Sequence, residues 1–152
     1  MSTLDIRPLD PDDRDLFVTM VRAYLNEIAP ELDPPAKDRI ARFWTDDNRF
    51  AFTLQAPELC GFALITRLPK NVHELSEFYI APTHRRAGLG RSFARSVLTR
   101  FPGPWRLGIA AGNPDAGAFW HATCAPFGPR RGPPLLPSHS ASLHFTVPEV
   151  HA

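Results

Sequence analysis

The sequence predicts a mixed α+β fold, a sheet with helices packed on it, and three observations carry that prediction. Apolar residues recur at three-and-four spacing over one long segment, the signature of a helix with a single buried face. Three strand-like runs then follow one another across short turns, as in an antiparallel meander. Beyond them, helix-like and strand-like segments alternate, an order that places helices on a sheet. With 152 residues, 43% hydrophobic and 22% charged, the chain is one domain's worth with enough apolar material for one core.

Taken in order, Leu4–Arg7 alternates apolar and polar residues up to Pro8 and reads as a first strand. Asp10-Pro11-Asp12-Asp13 starts a helix: an N-cap, a proline in the first turn and acids at the positive helix end. Leu16, Phe17, Met20, Val21, Tyr24, Leu25 and Ile28 form its apolar face, and Pro30 with Pro34-Pro35 stops it. Ile40, Phe43 and Trp44 suggest a second, shorter helix. Phe50–Leu54, Leu59–Thr66 and Glu74–Ala81 are the three meander strands, with turns at Pro57-Glu58 and Leu68–Val72.

Gly90–Phe101 is helical, with Phe93, Ala94, Val97 and Leu98 on one side, and ends at Pro102-Gly103-Pro104. Trp105–Ala110 is a strand, and Asn113-Pro114-Asp115 opens another helix carrying Ala116, Phe119 and Trp120. Residues 125–138 hold five prolines and two glycines and are expected to be loop. Ser142–Val147 closes the fold as a strand.

Composition excludes several classes. No run approaches the ~18 apolar residues of a transmembrane helix. Met1–Arg7 lacks the basic-then-apolar order of a secretory leader. Cys60 and Cys124 lack metal-ligand or redox spacing, so a reduced, cytoplasmic chain without a metal is expected. The net charge of +1 argues against a nucleic-acid binder. That total conceals a split: residues 1–48 hold eleven of sixteen acids and six of seventeen bases, a balance of −5, so the remainder carries +6. Such a division suits an anion-binding half and a cation-attracting half.

The segment that carries chemistry runs from Glu74 through Pro82 to Arg91. It reads as a strand, a basic glycine-containing turn and a helix start, which together form an anion cradle. Gly88 and Gly90 let the main chain approach a ligand, and Arg85, Arg86 and Arg91 add charge. No Gly-Lys-Ser/Thr follows, so this is not a nucleoside-triphosphate loop.

Arg85-Arg86-Ala87-Gly88-Leu89-Gly90 resembles the (Gln/Arg)-x-x-Gly-x-(Gly/Ala) signature of the GNAT superfamily of N-acetyltransferases. Phe78-Tyr79-Ile80-Ala81-Pro82 is similar to the strand before that signature, and Asn113 to Trp120 resembles the second GNAT motif. Glu77–Ile80, Phe101–Trp105 and Phe119-Trp120 look most like a bacterial subgroup of small GNAT proteins, the resemblance covering about residues 3–147. It implies a mostly antiparallel, twisted sheet of six to seven strands with helices on both faces.

It also implies acetyl-CoA as cosubstrate, with pyrophosphate on the amides from Arg86 to Arg91. Pantetheine would lie along the backbone of Phe78, Tyr79 and Ile80, where the strand splays from Trp105–Ala110. Asn113, Phe119 and Trp120 would flank the thiol end. A strand edge with unpaired N–H and C=O groups can make such pairings, whereas core packing alone would also account for Phe119 and Trp120.

Acetyl transfer needs a neutral amine, and a carboxylate acting through water can take the ammonium proton. Glu74 and Glu77 lie on the central strand, Glu74 at the offset of the base in histone-type GNAT enzymes and Glu77 nearer the pantetheine end. Glu77 is the first candidate and Glu74 the second. Their odd spacing would aim them at opposite faces unless a bulge intervenes; an ion pair with arginine is the alternative account of either. The general acid usual in the family, a tyrosine after the second motif, is missing: only Tyr24 and Tyr79 occur, with His121 and Cys124 the nearest substitutes. Direct attack with protonation from solvent needs no such residue.

Glu27, Glu31, Asp33 and Asp38 would draw a cationic amine, unless they are simply a solvated face. The acceptor is expected to be a small-molecule or peptide amine, and the protein a monomer or homodimer with no nucleic-acid or membrane partner. Two other classes compete: a CoA-binding sensor without catalysis, and a nucleic-acid module built on Arg85, Arg86, Arg130 and Arg131.

Overall fold

The computed structural model describes residues 4–28, 43, 45–85 and 88–149. One seven-stranded sheet organises them: β1 (Asp5–Pro8), β2 (Arg49–Gln55), β3 (Leu59–Leu68), β4 (Val72–Ile80), β5 (Gly103–Ala110), β6 (Arg130–Gly132) and β7 (His139–Val147). Their spatial order is β1-β2-β3-β4-β5-β7-β6. All neighbours are antiparallel except β4 and β5, which run parallel and are joined through a helix, as a crossover requires. Three α-helices lie wholly within the described residues: α1 (Arg14–Ile28), α2 (Leu89–Thr99) and α3 (Pro114–Cys124).

Helices cover both faces. On one, Phe93, Ala94, Val97 and Leu98 of α2 and Trp120 and Cys124 of α3 pack with Leu75, Ile80, Trp105 and Leu107. On the other, Phe17 and Val21 of α1 pack with Phe62, Leu64 and Tyr79, and Phe17 meets Phe62 edge-on at 5.5 Å. Asp10 caps the helix start as expected, its side chain accepting from the Asp12 amide at 2.9 Å. Leu16, expected on the apolar face, is 58% exposed; Val18 packs against the core in its stead. Of the second predicted helix, Phe43 and Thr45 are helical, whereas Ile40 and Trp44 lie outside the described residues.

The proline-rich stretch 125–138 is not wholly loop. Arg130–Gly132 forms β6 on the outer edge of β7. An edge strand needs hydrogen bonds on one side only, so prolines can bracket it closely without breaking it. Gly132 suits the place, because a Cβ there would come within 2.9 Å of both the His144 ring and the Ser142 hydroxyl. No helix among the described residues is long and apolar enough to cross a membrane.

His73 lies at the root of β4, its ring 4.8 Å from that of Phe101 and 5.3 Å from that of Trp105. It is buried, and neither ring nitrogen has a hydrogen-bond partner among the described residues. Burial, with Arg67 nearby as a lesser cause, pushes its pKa below the ordinary imidazole value. The unfolded chain therefore takes up a proton near pH ~6.5 that the folded chain refuses. The stability this residue contributes is complete above that pH and lost as pH falls towards the folded value. Urea midpoints at pH 7.5 and 5.5 are expected to differ less in His73→Phe than in the parent; equal differences would refute the assignment.

Candidate active site

The site grows from an interruption in the sheet. β4 and β5 pair only at His73–Trp105, Glu74–Arg106 and Leu75–Leu107, and beyond those residues the two strands separate. On its other side β4 stays paired with β3, but with a bulge: Leu64 faces Glu77 while Ile65 faces Leu75, so Ser76 is an extra residue. A bulge bends the strand that carries it. From Ser76 to Ile80, β4 thus has no strand partner on its β5 side.

The bulge also answers the question of the two carboxylates. Before it, Leu75 points to the α2–α3 side and Glu74 to the α1 side, beside Arg106. After it, Phe78 and Ile80 point to the α2–α3 side, and Glu77 and Tyr79 to the α1 side. Without the extra residue, an odd spacing would have separated the two glutamates. Both instead face α1.

Their environments differ. Glu74 accepts from the Arg106 guanidinium at 2.6 Å, the ion-pair alternative realised. Glu77 has no such cation among the described residues and accepts instead from the hydroxyl of Tyr24 on α1. Burial raises the Glu77 pKa; the Tyr24 hydrogen bond works against this and the charge of Glu74 adds to it. The Tyr24 hydroxyl is itself pushed up, first by burial and then by the Glu77 charge. A carboxylate of raised basicity beside a splayed sheet is better fitted to accept a proton than an ordinary surface carboxylate.

At the far end of β4 lies the turn that leads into α2. Gly88 sits at the N-cap with φ +76°, and a Cβ there would meet nothing within 4 Å. The first helical bond runs from the Ser92 amide to the Gly88 carbonyl, which leaves the amides of Leu89, Gly90 and Arg91 at the open helix end. That end has the geometry and sign of an anion site. Gly90 serves packing: a Cβ would stand 3.3 Å from the Phe119 ring and 3.6 Å from Ile80. Arg91 is exposed, and Arg86 and Ala87 lie outside the described residues.

Arg85 corrects an expectation. Its guanidinium does not add charge to the cradle, because it makes a double hydrogen bond to Glu27 of α1, at 2.6 and 2.8 Å. Its third contact is the Ile80 carbonyl at 2.8 Å, and it stacks over the Tyr79 ring at 5.4 Å. This bond holds the Glu27 carboxyl below its usual range. Two consequences follow: one oxygen of the Phe78–Ile80 edge is already engaged, and Glu27 is not a free attractor for a cationic acceptor. Glu31, Asp33 and Asp38 lie outside the described residues.

Across the splay, Asn113 accepts from the Asp115 amide at 3.0 Å and so caps α3. Phe119 and Trp120 pack on Phe78, with ring centroids 5.9 and 5.1 Å away, and Trp120 is buried while Phe119 is partly exposed. Cys124 is buried, and that burial pushes its thiol up to about 12. His121 is exposed on α3. The residue that sequence reasoning missed is Tyr24, whose only signal was a polar-tipped ring within the apolar stripe of α1.

A cavity of about 110 Å³ opens at the splay, lined by Glu74, Ser76, Arg106, Gly108 and His139, with Leu135 and Leu136 from the β6–β7 connection. A larger depression of about 360 Å³ around Asn48, Arg67 and Asn71 contains none of these groups.

The acetyltransferase (GNAT) family profile matches residues 18–124. No curated protein matches the sequence. Among solved structures, an acetyltransferase from Thermus thermophilus superposes with a TM-score of 0.75 at 23% identity, over 96% of this chain and 98% of that one. Spermidine N-acetyltransferase from Vibrio cholerae, solved with CoA and spermine, gives 0.72 at 15% identity over 96% of each chain. The PaiA N-acetyltransferase of Thermoplasma acidophilum, solved with coenzyme A, gives 0.71 at 14% over 95% and 99%. With the profile spanning both sides of the splay, from α1 to the end of α3, the chain belongs to the GNAT family of acetyltransferases.

Proposed function

We propose that this chain transfers the acetyl group of acetyl-CoA to a primary amine of a small molecule or peptide. The observation that carries the reading is the splay: an unpaired edge of β4, with an anion-binding helix start at one end and a half-buried carboxylate beside it. In this reading the amides at the start of α2 hold the pyrophosphate, and the main chain of Phe78 with the Ile80 amide, which alternate with the β3-bonded Tyr79, pairs with the pantetheine amides. Acetyl-CoA supplies the acetyl group as an activated thioester. Glu77 takes the proton of the incoming ammonium, directly or through a water, so that the nitrogen has a lone pair for the carbonyl carbon. As the C–N bond forms and the C–S bond breaks, the nitrogen gives its second proton to solvent and solvent returns a proton to the sulfur, leaving a neutral amide and the free thiol. Coenzyme A bound to the Thermoplasma and Vibrio proteins supports the choice of donor. The two buried, unpaired cysteines suit a cytoplasmic setting.

Calorimetric titration with acetyl-CoA, paired with thiol release in the presence of a panel of amines, tests this. Binding with amine-dependent release is expected. Binding with no release from any amine would support a CoA-binding module, and no binding would overturn both. Gly88→Val is expected to weaken acetyl-CoA binding about tenfold, since it puts a branched side chain at a positive φ where the phosphates approach. Unchanged affinity would move the phosphate site elsewhere.

A further inference from the structure

We infer that Tyr24 is the positioning residue of the candidate base: its hydroxyl holds one oxygen of Glu77 and leaves the other directed at the acceptor. The inference rests on the acetyl-transfer reading of Glu77. Geometry carries it. Tyr24 Oη donates to Glu77 Oε2, and Oε1 has no hydrogen-bond partner among the described residues. The two residues are 53 positions apart, so nothing local in the chain imposes the contact.

The tyrosine is not free to move. Its ring meets those of Phe62 and Tyr79 edge-on, each at 5.5 Å. One turn further along α1, Glu27 grips Arg85 at the start of the cofactor turn. Residues three apart share a helix face, so α1 presents a base-holding group and a turn-holding group side by side. A carboxylate fixed at one oxygen loses little freedom when the other accepts a proton.

Among the described residues, the charged or titratable groups facing Glu77 are few. Tyr24 comes from α1, Glu74 and Tyr79 from β4, and Arg106 of β5 lies behind Glu74; on β3 the neighbour is the apolar Leu64. Among the described residues, Tyr24 is the one that donates a hydrogen bond to the carboxylate. Such a bond favours the charged form, and its removal raises the carboxyl pKa.

The test is Tyr24→Phe, which keeps the ring and removes one oxygen. With acetyl-CoA and an accepted amine, kcat at pH 7 is expected to fall about tenfold, the scale of one hydrogen bond. The acid limb of the pH profile should move to higher pH, with KM for acetyl-CoA unchanged. In the protein without substrates, the NMR titration of the Glu77 carboxyl carbon should move the same way. A fall in kcat with neither limb nor titration moved would mean that Tyr24 only packs, and overturns the inference; so does unaltered kcat. Failure of the parent to release thiol with any amine, while the carboxyl titration still moves, would strike the acetyl-transfer reading and not the bond.

Discussion

Glu77→Gln is expected to lower kcat by about 10²–10⁴-fold, the range spanned by loss of a positioned general base. Glutamine has nearly the same shape, and its amide oxygen can still accept from Tyr24, so the packing on the α1 side should survive. What it lacks is a group able to hold the proton of an ammonium. The loss should therefore appear in kcat and in amine-dependent thiol release, with calorimetric affinity for acetyl-CoA unchanged. Glu74→Gln is the control. Its carboxylate is bound to Arg106 at 2.6 Å, so its substitution should cost much less turnover. Equal losses in the two variants, or full activity in Glu77→Gln, would remove Glu77 from the mechanism.

Trp105→Ala should be the most damaging change to the scaffold, costing about 3–5 kcal/mol. The indole is 1% exposed and donates to the Phe101 carbonyl at 2.8 Å. It also stacks parallel to Phe145 and sits against His73. It occupies the first of the three β4–β5 pairs, where the strands are still joined. Truncation leaves a cavity at the root of the splay as well as an unpartnered carbonyl. Against a typical total of about 5–15 kcal/mol, such a loss leaves little folded margin. Urea denaturation would register it as a lowered midpoint; a loss below about 1 kcal/mol would show that the root of the sheet repacks.

Much of this was legible in the residues because local rules govern it. Asp10-Pro11 starts a helix wherever it is followed by an apolar three-and-four stripe, and short turns join antiparallel strands whatever lies around them. The Gly88-Leu89-Gly90 turn was legible for the same reason, although its two glycines turn out to act differently. Gly88 supplies a positive φ beside open space, and Gly90 supplies room for Phe119. Spacing alone does not tell these apart, since both readings require only the absence of a Cβ. The edge strand β6 was hidden by its prolines, which forbid a central strand but not an outer one.

The sequence by itself determined the order of the elements other than β6, the glycine-containing turn into α2, the family resemblance and the pair of candidate carboxylates. Each of these depends on neighbours within a few residues. Tertiary structure alone decided which carboxylate, among the described residues, is paired with a cation. The bulge at Ser76 turns both glutamates to one face; Arg106, 32 positions from Glu74, then neutralises one, and Tyr24, 53 positions from Glu77, holds the other. Arg85 likewise reads as an anion ligand in the chain and becomes a clamp to α1 in the fold. The physical reason is the same throughout. A charge acts on what lies within a few ångströms of it, and only folding brings together groups that distant in sequence.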